Sequence, residues 1–127
     1  MKQIFPEFQG RKTIQPIPAV TLDDVERIVQ RDFPRERFGE VMAVLNEYGQ
    51  RERARVQLAV LKLAAGSLES LRQHVAVARQ DFRDILVAAE YPGYSQRRML
   101  QVPKLPIEEQ QRIIEADWAQ YEAWLQG

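Results

Sequence analysis

The 127-residue chain contains no cysteine. Disulfides, thiol nucleophiles, zinc ribbons and iron–sulfur clusters are thereby excluded together. Histidine occurs once, at His74, so a metal site would have to be built from carboxylates, and no D-x-D-x-D-G spacing is present. The six glycines fall singly, leaving neither a G-x-G-x-x-G nor a Walker loop to cradle phosphate. No apolar run approaches the ~18 residues needed to span a bilayer. The opening segment, MKQIFPEFQGRK, is broken by Pro6 and Glu7 where a signal peptide needs an unbroken apolar stretch. The chain therefore reads as cytoplasmic, with no cofactor, no resident metal and no membrane. Formal net charge is zero, and this balance disfavours nucleic acid as a partner. Its distribution is uneven. Residues 51–100 carry 9 basic and 5 acidic side chains, residues 101–127 carry 2 and 5, and arginine outnumbers lysine 14 to 4.

What is present is helical periodicity. RERARVQLAVLKLAA is followed by Gly66 and Ser67, then by SLESLRQHVAVARQDFRDILVAAE. Gly just past one helix and Ser at the start of the next are the stop and start signals of a tight αα-hairpin. The first of these helices, about 52–65, is apolar on nearly every side, interrupted only by Gln57 and Lys62, as suits the middle of a bundle. Its N-terminal end carries Arg51, Arg53 and Arg55, which oppose the helix dipole and break a local rule. The second run is either one helix or two, with Asp81 able to cap a new helix after a kink near Gln80. Upstream, Thr21-x-x-Asp24 approximates a capping box for a short helix ending near Arg31. Pro34 suits the start of another, on which Phe38, Val41, Met42 and Leu45 recur with helical spacing and which Gly49 closes. Pro92-Gly93 stops the second run between Tyr91 and Tyr94, residues 95–105 form a loop, and Pro106 opens a last helix. Residues 1–20, with Pro6, Pro16 and Pro18, form an extended arm. The fold predicted is all-α: a single domain over 1–127, in which the arm packs over a bundle from residue 21 onward. That bundle is irregular and orthogonal, with five to six helices around a central apolar one.

Helix geometry limits what the candidate residues can do. Ser70, His74 and Asp81 share one flank of a helix, but Ser70 and Asp81 would stand about 16 Å apart along it, too far for one imidazole to bridge. No G-x-S-x-G elbow accompanies them. The acid pairs Asp23-Asp24 and Glu108-Glu109 sit at helix starts, where carboxylates are favoured without catalysis. On the last helix, Trp118, Tyr121 and Trp124 have the composition of a protein interface. Around the Tyr-Pro-Gly-Tyr turn, Asp81, Arg83, Asp84, Glu90, Tyr91 and Tyr94 are expected to form a polar network.

Residues 55–92 carry Leu58 to Gly66, then Asp81-Phe82-Arg83-Asp84, then Ala89-Glu90-Tyr91-Pro92. This stretch resembles a small family of all-helical bacterial proteins, a domain of unknown function. The resemblance implies a compact helical domain and carries over no functional residue. The expected function is a non-catalytic protein-interaction module whose partner is a second copy or another protein. Two alternatives stand beside it: an immunity-type inhibitor of a bacterial toxin, and an enzyme with a carboxylate/arginine site near Arg83–Glu90.

Overall fold

The computed structural model describes residues 16–97 and 105–127, and every regular element among them is helical. The helices are α1 (Leu22–Asp32), α2 (Phe38–Leu45), α3 (Arg53–Ala64), α4 (Leu68–Gln80), α5 (Phe82–Glu90), α6 (Pro92–Arg97) and α7 (Ile107–Gln126), with a 3₁₀ turn at Arg35–Arg37 leading into α2. The all-α expectation holds, with seven helices among the described residues rather than five or six. The chain forms two compact units: Pro18–Glu90, holding α1 to α5, and Tyr91–Gly127 with Pro16 and Ile17, holding α6 and α7.

In the first unit α3 is the axle. Every residue from Val56 to Leu61 is buried, as is Ala64, and the helix packs against α1, α4 and α5. Helices facing it from several sides explain why its sequence lacks a polar stripe. They contribute Ile28 and Val29 from α1, Leu71 and Val75 from α4, and Ile85 and Ala89 from α5. Each fully buried Leu, Ile or Val is worth about 1.5–3 kcal/mol in removed apolar surface.

The helix ends follow local chemistry. At the start of α1 the Thr21 N–H donates to Asp24 Oδ2 at 2.9 Å, the carboxylate half of the capping box. Between α3 and α4 the chain turns through two left-handed residues, Ala65 (φ 51) and Gly66 (φ 82). Ser67 Oγ then accepts the Ser70 N–H at 3.1 Å, capping α4. A Cβ on Gly66 would also lie 3.3 Å from the Asp32 carbonyl oxygen, so glycine suits the position on both counts. Of the two readings of residues 67–90, the structure has two helices. Asp81 is extended (φ −153, ψ 95) and its Oδ1 accepts the Arg83 N–H at 3.1 Å, starting α5 afresh. Helix α2 stops at Leu45, short of Gly49, because the carbonyls of Leu45 and Tyr48 turn to a side chain of α3.

In the second unit Pro92 does more than stop α5: it starts the six-residue α6, whose last three residues replace the beginning of the loop expected over 95–105. Proline at the first helical position lacks only an N–H that the helix could not have used. The next two amides are taken by Asp117 of α7, a carboxylate only 5 % exposed, which accepts from the Gly93 N–H at 2.8 Å and the Tyr94 N–H at 2.9 Å. A Cβ on Gly93 would stand 2.8 Å from Asp117 Oδ1, so any other residue here would push the capping carboxylate aside. Of the extended arm, residues 16–20 are described and are non-helical, with the Tyr91 hydroxyl donating to the Pro16 carbonyl. The rest of the arm, and residues 98–104, lie outside the described residues.

Candidate functional site

Within the Pro18–Glu90 unit, the turn before α3 and the α4–α5 junction enclose a cleft of about 550 Å³. Arg51, Glu52 and Arg55 line it from the turn and α3, and Asp81, Phe82 and Arg83 from the junction. Three guanidiniums and two carboxylates thus share the walls with one aromatic ring.

The walls are held by buried polar groups. Gln57, fully buried on α3, donates from Nε2 to the carbonyls of Leu45 and Tyr48, each at 2.9 Å, and so anchors the end of α2 and the following turn. Its Oε1 has no partner among the described residues. Tyr48, also fully buried, donates its hydroxyl to the Arg51 carbonyl at 2.7 Å. Burial pushes the Tyr48 phenol above its ordinary range; Arg51 pulls it down and Glu52 pushes it up by smaller amounts. The tethered turn places Glu52 in the left-handed region (φ 55, ψ 43), a conformation that costs a non-glycine residue about 1–2 kcal/mol. Across the helices, Arg55 Nε and Nη2 each donate at 2.8 Å to the two oxygens of Glu90, a carboxylate 1 % exposed. Glu52 Oε1 stands 4.0 Å from Arg55 Nη1.

The outer walls are less constrained. Arg51 makes no ion pair with a described residue, and its Cζ lies 5.8 Å from the centre of the Phe82 ring, a cation–π distance. Arg83 is mostly exposed, with Nε 3.2 Å from Asp81 Oδ1. Asp81 therefore has two roles, capping α5 and steadying Arg83.

The expected polar network is not one network. Asp81 and Arg83 meet in the cleft, while Glu90 lies behind it on Arg55. Asp84 is exposed on α5. Tyr91 and Tyr94 belong to the other unit, the first bonding Pro16 and the second offering its backbone N–H to Asp117. The residues that sequence reasoning passed over are Tyr48, Arg51, Arg55 and Gln57. Two signals pointed to three of them: arginines crowded at the wrong end of an apolar helix, and a lone amide in the middle of that helix; Tyr48 carried none.

The serine–histidine pair is structural. His74 Nδ1 lies 2.8 Å from the Ser70 carbonyl oxygen and 3.2 Å from Ser70 Oγ. A carbonyl only accepts, so that contact places the proton on Nδ1, and the nitrogen nearest the hydroxyl is no base toward it. On α7, Trp118 and Trp124 are half-buried and flank the buried Tyr121. The Trp118 and Tyr121 ring centres are 6.4 Å apart and nearly parallel, and those of Tyr121 and Trp124 are 5.6 Å apart and tilted. Among the described residues no His, Cys, Asp and Glu side chains gather in a group able to hold a metal ion, and no helix is long and apolar enough to cross a membrane. No protein-family model, curated protein or solved structure matches the chain.

Proposed function

We propose that this chain is a cytoplasmic, non-catalytic protein-interaction module, related to the small bacterial helical family that residues 55–92 resemble, with the cleft between Arg51 and Arg83 as its recognition site. One observation carries the reading. Gln57, Tyr48 and Glu90 are buried polar side chains of the first unit: Tyr48 and Glu90 bond directly to the cleft residues Arg51 and Arg55, and Gln57 holds the Tyr48 carbonyl behind them. Burying a polar group stabilises a fold little and costs desolvation, so its concentration at one rim favours a rim whose shape matters.

Binding is favoured over chemistry by the state of the best acid near the cleft. Both oxygens of Glu90 are engaged by Arg55, which leaves a carboxylate suited to orienting a guanidinium rather than to moving protons. The half-buried Trp118 and Trp124 supply a second contact surface of the same module. An immunity-type inhibitor is the special case in which the partner is a toxin.

The test compares the wild-type chain with the Arg51→Ala/Arg83→Ala double variant as bait in cells of its source organism. A protein captured stoichiometrically by the first and lost with the second, while far-UV circular dichroism stays unchanged, supports the reading. Equal capture by both overturns the cleft as the recognition site.

A further inference from the structure

Resting on the recognition role proposed for the cleft, we infer that its occupant is an acidic peptide segment, bound through a side-chain carboxylate with an apolar residue beside it. The chemistry of the walls selects this partner. A guanidinium binds a carboxylate through two parallel N–H donors, and it does so best where its plane is already fixed. Arg51 has no carboxylate partner among the described residues, and its head group lies over Phe82, which supports the cation without occupying its hydrogen-bonding edge. Its backbone is fixed as well, because the buried Tyr48 holds the Arg51 carbonyl. On the same cleft, Arg83 is mostly exposed and engages Asp81 through Nε, which leaves its two terminal nitrogens without a described partner. Phe82 and Leu86 give the same cleft an apolar patch.

The two native carboxylates of the walls set a limit on the charge the cleft takes. Asp81 and Glu52 share the walls with the arginines and repel a dense anion more strongly than one or two carboxylates spaced along a peptide. A peptide of alternating acidic and apolar residues therefore fits better than a compact polyanion.

The test uses the full chain and a capped peptide of alternating Glu and Leu, with its Gln–Leu counterpart as control. Binding is followed by fluorescence anisotropy of the labelled peptide and by amide shifts in the ¹⁵N-labelled protein. The expected result is saturable binding of the Glu peptide, shifts centred on residues 50–55 and 80–86, and weakening of about fivefold or more in each of Arg51→Gln and Arg83→Gln. Raising the salt from about 0.05 M to about 0.5 M weakens it further. Both side chains are exposed, so the variants keep their thermal unfolding midpoint. Equal binding of the Gln peptide overturns the inference, as does unchanged affinity in both variants. So does tighter binding of tripolyphosphate or of a single-stranded RNA oligonucleotide, which would make the cleft a phosphate site. If the double variant loses its cellular partner yet the Glu peptide fails to bind, the acidic partner is refuted and the recognition site stands; if capture is unaffected, the site itself falls.

Discussion

Glu90 and Arg55 are 35 residues apart, and their pairing decides the fate of both. A carboxylate 1 % exposed cannot remain charged without a partner, and breaking a buried pair from one side leaves an uncompensated charge. Glu90→Gln is expected to cost about 3 kcal/mol in chemical denaturation, since an amide opposes one guanidinium N–H with its own NH₂. Replacing both partners by leucine is expected to recover most of that loss, because the remaining desolvation cost disappears with the charges. Tyr48 offers a second check at this scale. Its phenol is pushed up by burial, so the folded state holds the proton more tightly than the unfolded chain does. Its contribution is complete below the unfolded value near 10 and is lost as pH rises through the folded value. Tyr48→Phe, itself weaker by about 1 kcal/mol for the lost bond to the Arg51 carbonyl, should therefore lose less stability than wild type between about pH 9 and about pH 11. Urea titrations at both pH values measure the difference. Tyr48 was not readable as a site, and Glu90 was readable only as a member of a polar network, without its partner. Arg55 stood out for opposing a dipole, but the partner that stabilises it lies on another helix, and no local pattern encodes a contact over that separation.

Helix boundaries were legible where a side chain caps its own helix and obscure where the cap comes from elsewhere. Thr21-Asp24 and Ser67-Ser70 are local pairs, and their helices begin where the sequence places them. Asp81 is local too, and a capped start at Phe82 follows once its side chain accepts the Arg83 N–H. The end of α2 depends instead on Gln57, twelve residues beyond the Leu45 carbonyl it holds, and Gly49 misled because it marks the turn and not the helix end. The start of α6 depends on Asp117, which arrives from α7. The α3–α4 turn shows a local rule only half obeyed: Gly66 occupies one left-handed position, but Ala65 occupies the one before it. An alanine there carries a Cβ penalty that glycine lacks. Ala65→Gly is expected to stabilise the protein by about 0.5–1 kcal/mol despite the added freedom of the unfolded chain. A rise in thermal midpoint at unchanged helical content would confirm it. A fall would mean that the Ala65 methyl packs more usefully than its backbone strain costs.

At the scale of the whole chain, the decisive fact is where the core lies. The axle α3 has α1, α4 and α5 as neighbours, and these elements all fall within Pro18–Glu90. The side chains that shape the cleft, Tyr48, Gln57 and Glu90, fall there too, with every hydrogen bond described for them made inside the same span. A segment of this size buries roughly 60 % of the surface its unfolded chain exposes, enough for a marginally stable domain. A fragment spanning residues 18–90 is therefore expected to fold alone, with a helical circular dichroism spectrum, a cooperative urea transition and the Arg51–Phe82 cleft intact. The Glu–Leu peptide supplies the second readout, since the fragment should bind it within about twofold of the full chain. A fragment that is helical but melts without cooperativity would mean that α3 needs surface from beyond Glu90 to become an interior helix. The apolar pattern of residues 56–65 pointed to an interior helix, because no exposed helix carries so few polar side chains. Which helices cover it was not written in that pattern, since an all-round apolar surface accepts any amphipathic neighbour; the arrangement is selected instead by the few polar side chains that must find partners, Gln57 on the end of α2 and Arg55 on Glu90.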